Sequence, residues 1–141
     1  MYTSKTDIVV RYVETDQMGV VHHSNYPIWY EVARTDFIKE IGIAYSDIEK
    51  KGYMLPVLEL KSVYKGSAKY EDELLVITKI KQMSFTRVTF YYEIYKKSEN
   101  VLINYGETMH AWTDNKLKPL NMKKCAPDIY NLLLRVAQED I

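Results

Sequence analysis

The chain contains one segment that joins a predicted strand to a predicted helix: Thr15-Asp16-Gln17-Met18-Gly19-Val20-Val21-His22-His23-Ser24-Asn25-Tyr26. Residues 8–13, just before it, are rich in β-branched and aromatic side chains, which favour a strand. After it, apolar residues recur at three- and four-residue spacing, which indicates an amphipathic helix. These apolar positions are Ile28, Trp29, Val32, Ala33, Phe37 and Ile41.

The loop in this segment carries a carboxylate close to a helix start. Ser24 or Asn25 is expected to cap the helix with its side-chain oxygen, and Pro27 falls in the first turn, where a missing N–H does no harm. Backbone N–H groups around His23 would then point outward, supported by the helix dipole. Such a donor suits a carbonyl oxygen that gains negative charge during acyl transfer, and Asp16 would act as base or nucleophile.

Length and charge exclude several classes of protein. With 141 residues and no Pro/Gly/Ser-rich linker, we predict a single domain over residues 1–141. Lys plus Arg and Asp plus Glu each number 19, so no basic excess favours nucleic acid or an anionic membrane. No apolar run is long enough to span a bilayer or serve as a signal peptide, so we expect a cytoplasmic protein.

The sequence lacks the motifs of a metal site, a free-nucleotide site and a serine hydrolase. Cys125 is the only cysteine, so we expect a packed or idle thiol and no thiolate metal cluster. The adjacent His22 and His23 lack the spaced partners of a tetrahedral set, so we predict no metal. The chain has neither a Gly-rich phosphate loop nor a Gly-x-Ser-x-Gly elbow, which disfavours free nucleotide binding and a serine hydrolase.

The rest of the chain has the pattern of a small antiparallel sheet. Gly42 is expected to end the first helix, and residues 43–51 form either a short helix or an irregular loop. Four strand-like runs follow at residues 56–64, 74–82, 86–95 and 101–113, with short hairpin connections between the last three. Residues 127–139 predict a final helix. With residues 8–13 this gives an α+β fold of five strands, covered by the early helix on one face.

Taken together, these features resemble the hot-dog fold, and within it the branch of 4-hydroxybenzoyl-CoA thioesterase and the Tol-Pal-linked thioesterases. The resemblance covers nearly the whole chain. Its specific part is Arg11-Tyr12-x-x-Thr15-Asp16-x-x-Gly19-Val20-Val21-x-His23-x-x-Tyr26, followed by Tyr30-Glu31-x-Ala33-Arg34. It implies a curled antiparallel five-stranded sheet wrapped around a long central helix. It also implies a homodimer or homotetramer, for which the 13 tyrosines offer an interface.

The resemblance implies hydrolysis of a short- or medium-chain or aromatic acyl-CoA, with CoA as part of the substrate and no separate cofactor. Asp16 would be the essential carboxylate, as nucleophile or general base. The backbone N–H of His23 would polarise the thioester carbonyl, its ring would lie close to Asp16, and the Tyr12 hydroxyl would position the carboxylate or water. The residues expected to bind substrate are Gly19, Val20, Val21, Tyr26, Glu31, Arg87, Lys65 and Lys69.

The chain departs from the family pattern in two places. At the entry to the third strand run, residues 84–87 keep one arginine, Arg87, where the 4-hydroxybenzoyl enzyme carries several basic residues. Gly66 and Ser67 occupy a loop where a proline often precedes the alanine. The residues that would contact the CoA phosphates are therefore left open.

Several alternatives stay open at this point. Glu31, on the predicted helix, is the main rival to Asp16, because another hot-dog branch carries its catalytic glutamate there. We expect Glu14 to be solvated, His22 to be a bystander, and His110 to be a hydrogen-bonded sheet histidine. The alternative functions are a hot-dog dehydratase or hydratase and a non-catalytic acyl-binding protein.

Overall fold

A computed structural model describes residues 1–138 as five strands, four α-helices and one 3-10 turn. The strands are β1 (Ser4–Val9), β2 (Val57–Tyr64), β3 (Glu73–Met83), β4 (Arg87–Lys96) and β5 (Val101–Ala111). The α-helices are α1 (Asn25–Glu40), α2 (Tyr45–Lys50), α3 (Met122–Cys125) and α4 (Pro127–Gln138), and the 3-10 turn covers Tyr12–Glu14. Residue 139, predicted as the end of the last helix, lies outside the described residues.

The five strands form one sheet in the order β1-β3-β4-β5-β2, and every neighbouring pair is antiparallel. Strands β3, β4 and β5 follow one another through short hairpins, as their spacing predicts. The α+β class and the five-stranded antiparallel sheet are therefore confirmed. Strands β1 and β2 are the two edges, and the start of β3 lies beside the end of β1, where the loop that carries Asp16 begins.

Helix α1 packs against the sheet through stacked aromatic rings. Tyr30 lies parallel to Tyr92 at 4.4 Å between ring centroids, and Phe37 meets Phe90 edge-on at 5.8 Å. The predicted buried face is partly wrong, because Ile28 and Val32 are 49% and 42% exposed. Aromatic residues turn a different side of the helix toward the sheet, and the face that is buried consists of Tyr26, Trp29, Tyr30, Ala33, Phe37 and Ile38.

The first strand ends earlier than the sequence pattern predicts. It stops at Val9, and Tyr12–Glu14 forms a 3-10 turn instead of continuing the strand. The cause is local: the Glu14 side chain accepts a hydrogen bond from the Arg11 amide at 2.7 Å, and the Glu14 amide donates to the Arg11 carbonyl at 3.0 Å. This reciprocal arrangement satisfies backbone groups that a strand would need to pair elsewhere.

The ends of the helices follow the sequence only in part. Gly42 has the positive φ of +103° that the end of α1 requires, as predicted. The predicted side-chain cap at the start of α1 is wrong, since Ser24 makes no capping bond and Asn25 uses its amide nitrogen to donate to the carbonyls of Glu14 and His22. The helix start is therefore tied to the preceding loop.

Candidate active site

The segment before α1 folds back on itself as a tight hairpin. The Asp16 amide donates to the Val20 carbonyl at 2.9 Å, Thr15 pairs with Val21, and the His22 amide donates to the Glu14 carbonyl at 2.9 Å. The tip turns at Gly19, whose φ of +78° is unfavourable for other residues and whose N–H donates to the Asp16 carbonyl. The hairpin thus fixes Asp16 beside its own turn.

The Asp16 carboxylate is half-buried and held at one oxygen. Its Oδ1 atom accepts a hydrogen bond from the Met18 amide at 2.8 Å. The other oxygen, Oδ2, has no hydrogen-bond partner within residues 1–138. One oxygen is therefore fixed, and the other can take a proton or attack a carbon.

His23 supplies an available backbone donor two residues before α1. Among the residues that the structure describes, its N–H donates no hydrogen bond. Its carbonyl accepts from the Tyr64 hydroxyl at 3.0 Å, which holds this peptide against β2. Its exposed ring lies 4.2 Å from the ring of His22, and it makes no hydrogen bond to Asp16 in the described part of the chain.

The two tyrosines predicted to belong to the site, Tyr12 and Tyr26, have different surroundings. Tyr12 is 77% exposed, its ring meets Tyr70 edge-on at 5.6 Å, and its hydroxyl has no bond to Asp16 among residues 1–138. Tyr26 is buried between Trp29 and Tyr64, at 5.0 and 5.2 Å. Burial, together with the neighbouring Tyr64, raises the pKa of Tyr26 to about 12, so its hydroxyl stays neutral.

The loop between β2 and β3 lies against the hairpin. The Val21 amide donates to the Ala68 carbonyl at 2.8 Å, and Val21 itself is buried, whereas Gly19 is exposed and Val20 half-exposed. Lys69 follows Ala68 directly and is exposed. Lys65 lies at the other end of the loop, with its Nζ atom 5.9 Å from the ring of Tyr105.

Two further predicted residues lie away from the hairpin. Arg87 starts β4 at the far end of β3, and the ten residue steps from Glu73 to Met83 span about 30 Å at strand spacing. Within one chain, Arg87 therefore lies too far from Asp16 for both to contact the same part of a substrate. Glu31 is exposed on α1 and lines a shallow groove with Pro27, Ile28, Arg34, Val57, Leu60 and Thr108.

Glu14 is the functional candidate that the sequence reasoning missed. The expectation that it is solvated is wrong, since it is 2% exposed. Its carboxylate accepts hydrogen bonds from the Arg11 amide and from the Trp29 indole N–H, at 2.7 and 2.9 Å. Burial by itself would raise the pKa of Glu14, but these bonds and the Arg11 guanidinium hold it below its ordinary value. No capping-box pattern marks Glu14 in the sequence, because the residue three positions earlier is Arg11, whose side chain has no acceptor, and not Ser or Thr.

The two remaining histidines differ in burial. His22 is exposed, and its Nδ1 atom lies 2.8 Å from the Ser24 hydroxyl. His110 is fully buried in β5, between the Leu55 carbonyl and the Thr108 hydroxyl. The prediction of a hydrogen-bonded sheet histidine is confirmed.

The described residues contain neither a candidate metal site nor a helix that could span a membrane. Residues 1–138 hold no group of three or more His, Cys, Asp or Glu side chains arranged to bind a metal ion. In the same range, every helix is too short or too polar to cross a membrane. Cys125 is an exposed free thiol.

Comparison with known proteins identifies the family. The model of the thioesterase-like superfamily matches residues 10–131, which include the whole hairpin. The chain belongs to this superfamily. YneP of Bacillus subtilis, provisionally named an acyl-CoA thioesterase, is 40% identical over 129 residues, which cover 91% of this chain and 93% of YneP. The acyl-CoA thioester hydrolase YbgC of Escherichia coli O157:H7 is 30% identical over 116 residues, 82% of this chain and 86% of YbgC.

Solved structures agree with this membership of the thioesterase-like superfamily. A crystal structure of a DHNA-CoA thioesterase from Staphylococcus aureus has a TM-score of 0.92 and 36% identity, and covers 96% of this chain and 91% of that one. The prediction of a thioester hydrolase is confirmed at the level of the family. The narrower 4-hydroxybenzoyl-CoA or Tol-Pal-linked branch stays a prediction.

Proposed function

We propose that this protein hydrolyses an acyl-CoA thioester to a free acid and CoA at the hairpin that carries Asp16. The observation that carries the proposal is that one short segment holds two groups with no hydrogen-bond partner among residues 1–138: the Oδ2 oxygen of Asp16 and the backbone N–H of His23. A base or nucleophile together with a preorganised donor is what acyl transfer needs. The relatives named as acyl-CoA thioesterases support CoA thioesters as the substrate class.

The chemistry divides between the two groups. In the general-base route, Asp16 takes a proton from water while the water oxygen bonds to the thioester carbon. In the nucleophilic route, the Asp16 oxygen itself bonds to that carbon, and water later cleaves the anhydride. In both routes the carbonyl oxygen gains negative charge opposite the His23 N–H, and the C–S bond breaks to release the CoA thiolate, which takes up a proton.

The acyl group is proposed to be short- or medium-chain or aromatic. The Staphylococcus aureus relative named for an aromatic thioester, at 36% identity, supports the aromatic class. We propose Gly19, Val20, Val21 and Tyr26 as the residues beside the thioester, and Lys69, which follows Ala68, as a cation for the CoA phosphates. Lys65, Glu31 and Arg87 are proposed as further contacts. A cytoplasmic location and hydrolysis without a cofactor or metal remain predictions from the sequence.

We also propose that two copies pair through the β2 edge. Residues 57–61 are all exposed, and Val57, Leu58 and Leu60 are each nearly half exposed on an edge strand, which otherwise invites uncontrolled pairing. Ile28 and Val32 extend this apolar surface onto α1. Two-fold antiparallel pairing of the β2 edges would bring the Arg87 end of one subunit toward the Asp16 end of the other.

The test is CoA release from a panel of acetyl-, hexanoyl- and benzoyl-class CoA esters, followed with a thiol-reactive dye. We expect Asp16→Asn to lower kcat by at least about a hundredfold, since a positioned base contributes roughly 10²–10⁴. Glu31→Gln should cost less. Asp36→Asn is the matched control, because Asp36 also accepts one hydrogen bond, from the Thr6 hydroxyl at 2.9 Å, but beside β1, at the edge of the sheet opposite to β2.

Other outcomes would redirect the proposal. Near-normal hydrolysis by Asp16→Asn with loss in Glu31→Gln would move the catalytic carboxylate to α1. Hydration of an enoyl chain without CoA release would indicate the dehydratase, and saturable binding without turnover would indicate an acyl-binding protein.

A further inference from the structure

Glu14 connects the active-site hairpin to helix α1 through its side chain. It lies two residues before Asp16 and is 2% exposed. One carboxylate oxygen accepts the Arg11 amide at 2.7 Å, and the other accepts the Trp29 indole N–H at 2.9 Å. A buried carboxylate is costly unless such donors satisfy it, so its presence here indicates a geometric purpose.

The backbone of Glu14 binds the other leg of the same hairpin. Its carbonyl accepts the His22 amide at 2.9 Å and the Asn25 side-chain amide, also at 2.9 Å. These two donors flank His23 in sequence. Glu14 therefore contacts the leg that leads to Asp16, the leg that leads to His23, and the helix that follows both.

We propose that Glu14 is a positioning residue that sets Asp16 relative to the backbone N–H of His23. This inference rests on the proposed function of the same hairpin. Trp29 holds the carboxylate from α1, so the hairpin keeps one orientation with respect to the helix start. A displacement of about 1 Å in such a site can cost about a hundredfold in rate. Glu14 itself is buried, so it acts through its neighbours.

The decisive variant is Glu14→Gln, which keeps the size of the side chain but replaces one acceptor oxygen by an amide donor. Either the Arg11 amide or the Trp29 indole then loses its acceptor. We expect kcat to fall about 10- to 100-fold with KM within about threefold, because the loss lies in transition-state geometry. Asp36→Asn, a carboxylate-to-amide change whose remaining oxygen still accepts from the Thr6 hydroxyl, should leave kcat unchanged.

A double mutant separates positioning from stability. When Asp16→Asn is already present, Glu14→Gln should lower kcat little further, since there is no carboxylate left to position. If Glu14→Gln folds poorly, Trp29→Phe is the second variant. It keeps an aromatic ring but removes the indole N–H, and it should reproduce part of the loss in kcat. Two results would overturn the proposal. One is a Glu14→Gln protein with normal kcat per folded molecule. The other is a Glu14→Gln substitution that lowers kcat by the same factor in the wild-type and in the Asp16→Asn protein.

An NMR readout keeps this inference separate from the proposed function. The chain has two tryptophans, so Trp29→Phe assigns the indole signal of Trp29. Glu14→Gln should shift that signal and the amide signals of Met18 and His22, and Asp36→Asn should shift none of them. If the wild-type protein hydrolyses no ester of the panel, the proposed function fails. Positioning by Glu14 would then stand on these amide shifts, and their absence would refute it.

Discussion

His110 is expected to make the folded protein sensitive to acid. The Leu55 carbonyl, 3.0 Å from Nδ1, can only accept, so Nδ1 carries the proton of the neutral ring. Nε2 then accepts from the Thr108 hydroxyl at 2.8 Å, and Thr108 accepts from Tyr92 at 2.6 Å. Arg34 donates to the Tyr92 oxygen at 3.0 Å, which completes a chain of donors in one direction.

Protonation of Nε2 would break this chain. It would turn the acceptor of Thr108 into a donor and leave a buried hydroxyl without its partner. Burial and, more weakly, the positive charge of Arg34 lower the pKa of His110 from its ordinary 6.5 to about 4, against the opposing effect of the Leu55 bond. Because the folded-state pKa is depressed, the unfolded chain binds the proton first, and stability falls as the pH drops from about 6.5 to about 4.

The size of the effect follows from the two pKa values. One pKa unit corresponds to about 1.36 kcal/mol, so a fall from 6.5 to about 4 corresponds to about 3 kcal/mol of unfolding free energy, of which about 2 kcal/mol is lost by pH 5. His110→Asn keeps a donor for Leu55 but does not titrate. Urea unfolding of both proteins between pH 7 and 4 isolates the contribution as the difference in slope. Parallel curves for the two proteins, or a His110 NMR titration near 6.5 in the folded state, would refute the reasoning.

Three further predictions concern single residues. His23→Ala should lower kcat only partly, by less than the roughly 10²–10³ that loss of an oxyanion donor costs, because alanine keeps the N–H; a full loss, with a shift in the acidic limb of the pH–rate profile, would assign the role to the ring. Gly106→Ala should destabilise the fold by about 1–3 kcal/mol, since a Cβ there would lie 2.6 Å from the Tyr30 hydroxyl and would collide with the Lys61 carbonyl, as thermal unfolding would measure. Leu60→Lys should weaken self-association in sedimentation experiments while Leu117→Lys, at another exposed leucine, should not. A fully active wild-type monomer would contradict the β2 pairing.

Sequence reasoning worked where the structure depends on neighbouring residues. The alternate residues Val88, Phe90, Tyr92 and Ile94 of β4 are apolar or aromatic in the sequence and are all buried in the structure. Gly42 ends α1 because its backbone can adopt a positive φ. The predicted side-chain cap at the start of α1 is wrong, because the Asn25 side chain donates to carbonyls of the preceding hairpin, which are fixed by the tertiary structure.

The sequence by itself determined the α+β class, the five strands and the order of the motif from Asp16 to Tyr26, because these depend on local periodicity and on turn residues. The tertiary structure alone decided three features of the site. Glu14 is buried because Trp29, fifteen residues later, reaches its carboxylate. Ile28 and Val32 are exposed because tyrosine and tryptophan rings occupy the side of α1 toward the sheet. Arg87 lies far from Asp16 because the register of β3 with β1 and β4 places them at opposite ends. Each depends on contacts between residues distant in sequence, which no local pattern encodes.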